Sequence, residues 1–262
     1  MEQIDLVHRM IKRYPDTFEL ALTADDVERI HKNGKIASLI GMEGGHAIEN
    51  SLGLLRQFHA LGARYMTLTH SDTLDWADAA TDDAKHGGLS PFGEEVVRTM
   101  NELGMLIDIS HVSPDTMRDA IRISKAPVIA SHSSARAIAN HVRNVPDDVL
   151  KLAKTNGSVI MVNYFSEWKK ANPMDAGTIH DLLDHIDHIA NIAGANCVGI
   201  GSDYDGVSTL PKQLEDVSTY PLITQGLLDR GYTDDEIRGI MGGNVLRVMR
   251  EAETVSAVMS KR

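Results

Sequence analysis

One cysteine, Cys197, is all the chain has among 262 residues. An intrachain disulfide is therefore excluded, and the redox state of the compartment leaves no mark on the sequence. Basic residues are the scarcer charge, 26 Lys and Arg against 37 Asp and Glu, and no Lys/Arg-rich tract offsets the net charge of −11. That balance disfavours a nucleic-acid partner, which needs clustered cations. No stretch is apolar enough to span a bilayer. The opening residues, MEQIDLVHRMIKRYPD, carry charges throughout, so they read as an amphipathic helix rather than a secretory signal. The default location on this reading is cytoplasmic. Linkers and low-complexity tracts are missing as well, so residues 1–262 read as a single domain.

What is present is a soluble globular composition, 42% apolar and 24% charged. Short apolar runs recur along it, each followed by a helical pattern. Six read as buried parallel strands: 35–42, 65–69, 105–109, 128–130, 158–162 and 198–200. Helices are expected over 51–60, 90–103, 115–124, 144–156 and 179–192, with a capping box at Thr233 and Glu236 in the helical tail. Strand–helix alternation of this kind argues for one α/β domain around a parallel sheet. The strand ends supply Glu43, His70, His111, His132, Asn163 and Asp203. A doubly wound sheet gathers its site at one switch point, whereas here every strand delivers a polar group, as barrel strands do. A closed barrel has eight strands and the pattern shows six, so the expected fold is an incomplete TIM-type barrel whose first two strands would precede residue 1.

The stretch 105–144 concentrates this logic. His111 and His132 end two successive strands, and 21 positions apart they cannot share a helix. Glu43, His111, His132 and Asp203 together are oxygen and imidazole ligands suited to zinc, with a carboxylate able to bridge two ions. A hydrogen-bonded strand cap explains any one of them equally well; it does not explain four at four strand ends. His46, His59, His86 and His141 read as surface or loop residues. His180, His185 and His188 alternate with Asp181, Asp184 and Asp187 along a helix, either as a metal face or, the reading preferred, as a solvated face. Asp205 is either a supporting polar group or a turn residue before Gly206.

Several long motifs, in order, are similar to the membrane (renal) dipeptidase family of zinc peptidases. They are GMEGGH (41–46), YMTLTHSDTLDWAD (65–78), LIDISHVS (106–113), ASHSSARAIANHVRNVPDD (130–148) and VGIGSDYDGV (198–207). The resemblance implies a (β/α)₈ barrel of the metal-dependent amidohydrolase type that hydrolyses dipeptides, some with a D-residue on the C-terminal side. It implies that Glu43 bridges two zinc ions, and that His111 and His132 bind the second of them. His70 would contact substrate and stabilise the developing oxyanion. Arg143 would hold the free carboxylate of the dipeptide, and Asp203 would act as acid and base near the first zinc. A metal-bridging water would be the nucleophile. The family's first strand carries a His-x-Asp pair for the first zinc, and this chain has no counterpart. Neither His70-Ser71-Asp72 nor His185-Ile186-Asp187 replaces it.

Two other classes of function remain open on the sequence. One is a catalytically impaired metal-binding fragment or interaction protein derived from such an enzyme. The other is a one-metal amidohydrolase acting on a lactone or cyclic amide. Unpaired edges on the outermost strands would also favour self-association, in the simplest case a homodimer.

Overall fold

The computed structural model describes residues 1–164 and 177–261. A small parallel pair, β1 (Phe18–Leu20) and β2 (Ile36–Ser38), precedes a six-stranded parallel sheet. Its members are β3 (Ile40–Glu43), β4 (Ala63–Thr67), β5 (Leu106–Asp108), β6 (Ile129–Ala130), β7 (Val159–Val162) and β8 (Val198–Ile200). They lie side by side in chain order, each hydrogen-bonded to the next. No reversal of order occurs, which separates this architecture from a doubly wound sheet. Helices α3 (Leu52–Ala60), α4 (Pro91–Leu103), α5 (Pro114–Ile123), α6 (Asp147–Asn156) and α7 (Ile179–Ala193) each follow a strand. The tail after β8 forms α8 (Tyr220–Asp229), α9 (Asp234–Arg238) and α10 (Asn244–Met259), while α1 (Glu2–Arg13) and α2 (Ala24–Lys32) flank β1. No helix among the described residues is long and apolar enough to cross a membrane.

Local chemistry sets the helix limits. Ser90 and Ser113 accept hydrogen bonds from the amides of Gly93 and Thr116, and each is followed by a proline whose missing N–H costs nothing there. Helices α4 and α6 stop at Gly104 and Gly157, both left-handed. The run 35–42 does not form the single strand its composition suggests: it breaks at Leu39, with Ile36–Ser38 pairing to β1 and Ile40–Glu43 to β4. β1 has no strand signal in the sequence, because three residues are too few to show a period of two.

The pleat divides the apolar residues between two cores. Met42, Met66, Ile107, Ala130 and Ile160 face the helices and join the larger one. Their neighbours Tyr65, Leu106, Ile129 and Met161 face the other way and pack with Val245, Leu246, Val248 and Met249 of α10. Gly41 belongs to this inner face, where a Cβ would fall 2.0 Å from the Tyr65 ring. Among the described residues, β3 and β8 do not pair with each other, so the sheet stays open on that side. Helices α2 and α10 face the opening instead. The Ala24 amide donates to Glu253 at 2.8 Å, and Arg250 reaches Glu28 at 2.6 Å.

The face of α7 that reads as solvated is partly interior. His185 is buried, and its Nδ1 accepts the Ala135 amide at 3.1 Å. Asp187 pairs with Arg230 and accepts the Tyr232 hydroxyl at 2.9 Å, so His185 and Asp187 diverge. Asp205 lies exposed in a turn, as one of its two readings has it.

The long connection between β4 and α4 is organised on a fully buried carboxylate, Asp78. It accepts the amides of Lys85 (2.8 Å), His86 (3.1 Å) and Gly88 (2.9 Å). Burial pushes its pKa up, but the backbone donors prevail and hold it below the ordinary carboxylate range. Asp78→Ala strands three amides and is expected to cost about 3 kcal/mol in denaturant unfolding at neutral pH. The sign follows from the lowered pKa: the contribution is complete above pH ~4 and fades as pH falls through the depressed value. The gap between parent and variant should therefore narrow in acid.

Candidate metal centre

Each site residue sits at or just beyond the carboxyl end of a strand. Glu43 closes β3, and His111 follows β5 in a turn where its own φ is +69°. His132 follows β6, and Asp203 follows β8 with φ +60°. Left-handed backbone at a histidine and an aspartate costs about 1–3 kcal/mol each, a strain that clusters at functional sites.

Three of these residues converge. Glu43 Oε1 lies 3.1 Å from His111 Nε2 and 3.1 Å from His132 Nε2, and the two imidazole nitrogens are 2.8 Å apart. Among the described residues this is the one cluster of His, Cys, Asp and Glu whose ligand atoms share a point in space. The spacing approaches the ~3.3 Å edge between ligands set about 2.0–2.1 Å from a tetrahedral cation. Three lone-pair atoms this close repel one another unless a proton or cation lies between them. Their charge suits the cation: contact with the His111 and then the His132 imidazole holds the Glu43 carboxyl far below the carboxylate range. Burial lowers His111 to about 4 against the opposing pull of Glu43. At neutral pH the cluster offers an anionic carboxylate and a neutral His111 imidazole.

The remaining candidates surround the cluster. The His70 ring stacks on His111 with centroids 4.3 Å apart. Asp203 lines the same cavity of about 710 Å³ as Glu43 and His132, with Leu106, Ile129 and Met161 deeper in. Burial raises the Asp203 pKa, and the Glu43 charge adds to it against His132 and Arg143. Arg143 is 7% exposed, and its Nη1 has no hydrogen-bond partner. Burial lowers its pKa to about 10, offset by the charges of Asp108, Asp203 and Glu43. A buried guanidinium with an unpartnered nitrogen is costly unless it serves an anionic guest. Its loop is held by Asn144, which accepts the Ser134 amide at 3.1 Å and donates to the Ala139 carbonyl at 2.8 Å. Asn163, a strand-end candidate, is a strut: it accepts the Ser134 hydroxyl at 3.0 Å.

Sequence reasoning overlooked Asp108 and Ser131. Asp108 is fully buried at the end of β5 and accepts the amides of Ser110 and Ser131, each at 2.9 Å. The Ser131 hydroxyl also donates to Asp108 and stands 2.8 Å from His132 Nδ1. The serine between strand end and histidine in SHSS was the available signal.

A parallel sheet that presents imidazoles and a carboxylate at its carboxyl ends has the layout of the metal-dependent amidohydrolase fold. More narrowly, the chain belongs to the membrane dipeptidase family, peptidase family M19, whose family model matches residues 1–262. Dipeptidase aclJ of Aspergillus oryzae is 46% identical over 258 residues, 97% of this chain and 61% of that protein. Dipeptidase tcpJ of Claviceps purpurea is 47% identical over 257 residues, 98% of this chain and 60% of that protein. The chain thus spans about three fifths of the length of these relatives. The crystal structure of the probable dipeptidase PvdM from Pseudomonas aeruginosa superposes with a TM-score of 0.89 at 26% identity, over 96% of this chain and 78% of that one. A metallo peptidase from Rhodobacter sphaeroides, liganded with a phosphinate mimic of the dipeptide L-Ala-D-Ala, superposes with a TM-score of 0.88 at 25% identity, over 95% and 72%.

Proposed function

We propose that this chain carries the active-site rim of a zinc-dependent dipeptidase. The observation that carries the reading is the convergence of Glu43, His111 and His132 beside a buried arginine with an unsatisfied donor. In this reading Glu43, His111 and His132 would hold zinc. When bound, the metal supplies Lewis acidity and lowers the pKa of a water so that it can attack a peptide carbonyl. Arg143 grips the C-terminal carboxylate of the dipeptide through its planar fork and so fixes which peptide bond is presented. His70, stacked on His111, faces the developing oxyanion. Asp203, with its raised pKa, takes a proton from the attacking water and returns it to the leaving amine. The dipeptide mimic bound by the Rhodobacter sphaeroides relative supports this substrate class, including a D-residue on the C-terminal side.

The test is zinc content together with hydrolysis of simple dipeptides. Zinc binding with cleavage is expected; zinc binding that leaves every dipeptide intact would overturn the reading. Glu43→Gln keeps the shape of the side chain and removes its charge, so it should lose bound zinc and lower turnover by at least ~10²-fold. Elemental analysis and the same peptide assay check both effects.

A further inference from the structure

The hydrogen-bond ladder between β5 and β6 is one residue pair long, Asp108 opposite Ile129, and its last backbone bond is Ile109 N–H to the Ile129 carbonyl at 2.8 Å. Beyond it the two strands run into separate turns, one carrying His111 and the other His132. No ladder holds these turns in register, yet the imidazoles they bear lie within 2.8 Å of each other. The Asp108 side chain takes over where the ladder ends. One oxygen, Oδ1, accepts both the Ser110 amide of the first turn and the Ser131 amide of the second. Ser110 returns the contact, its Oγ accepting the His132 amide at 3.0 Å.

The proton count carries the argument to the ring. Ser131 has a single hydroxyl proton, and it points to Asp108 Oδ2. Its oxygen therefore meets His132 Nδ1 as an acceptor, so the ring proton sits on Nδ1. Nε2 is left with a lone pair, aimed at Glu43 and His111.

We propose that Asp108 is a positioning residue for the metal centre. Its carboxylate clamps the two histidine-bearing turns together and, through the Ser131 hydroxyl, selects the His132 tautomer that can bind a cation. The clamp rests on the reading of Glu43, His111 and His132 as metal ligands, but its effect on the ring is testable without metal.

The experiment uses the full chain with ¹⁵N-labelled histidine, the His132 signals being assigned by their disappearance in His132→Gln. In the metal-free parent, His132 is expected as the Nδ1–H tautomer. Ser131→Ala removes the acceptor while leaving the backbone bonds to Asp108, so the tautomer preference should vanish. Zinc affinity, read by chelator competition, should fall 10–100-fold with little change in melting temperature. Ser131→Thr restores the hydroxyl and should recover both. Asp108→Asn, which disturbs both turns, should weaken zinc at least as much as Ser131→Ala. Persistence of the Nδ1–H tautomer in Ser131→Ala would overturn the clamp, as would its loss with zinc affinity unchanged. Should the parent bind no zinc at all, the dipeptidase reading fails, and the tautomer measurement still decides the clamp.

Discussion

His132→Ala is expected to remain folded, to lose its zinc, and to hydrolyse dipeptides at least ~10³-fold more slowly, a barrier increase of about 4 kcal/mol. The fold should survive because the bonds that tie this turn to the rest belong to other groups. Ser131 donates its amide and hydroxyl to Asp108, and the His132 amide reaches Ser110 without using the ring. The ring itself contributes Nε2 to a three-atom cluster, and a zinc site stripped of one of three protein ligands has no close replacement. Asp203 borders the same cavity but is outside the group whose ligand atoms converge. Metal analysis and peptide hydrolysis on the same preparation check the result. A variant with full zinc and more than a tenth of parental turnover would place the chemistry elsewhere.

Arg143→Met should separate binding from stability. For dipeptides with a free C-terminal carboxylate, kcat/KM is expected to fall 10²–10³-fold, as loss of a buried bidentate ion pair costs about 3–4 kcal/mol. The same peptides capped as amides should be cleaved poorly by parent and variant alike, which ties the effect to the carboxylate. Stability should move the other way or stay level. The parent keeps a cation at 7% exposure with one nitrogen unpartnered, and methionine fills much of that volume without a charge to desolvate. Arg143→Met should melt no lower than the parent. A lactone or cyclic-amide hydrolase would show no such dependence on the carboxylate, so an unchanged kcat/KM would favour that class.

The open side of the sheet bears on both results. The cavity at the metal cluster continues past Leu106, Ile129 and Met161 to residues of α10, which pack against the inner face of the sheet. Substitutions at the rim therefore act on a site whose floor they do not share.

Much of this was readable before any coordinates. The alternation of short apolar runs with capped helices places β4 to β8 within two residues of their observed limits, because Ser-Pro starts and glycine stops are local chemistry. The strand ends carry Glu43, His111 and His132 in plain view. Less readable were the break at Leu39, where one apolar run serves two sheets, and His185, whose helix position looks solvated until its amide partner at Ala135 is known. Asp108 was the hardest to see. In LIDISH it reads as one more strand residue, and its partner Ser131 is 23 positions away.

By itself the sequence determined the element types, the parallel α/β class and the identity of the groups at the strand ends, since periodicity and capping act over a few residues. Tertiary structure alone decided which side of each strand faces α10, which imidazole nitrogens meet Glu43, and that Arg143 keeps an unpaired donor in the interior. Those properties depend on atoms brought together from distant parts of the chain, and no local pattern encodes a distance.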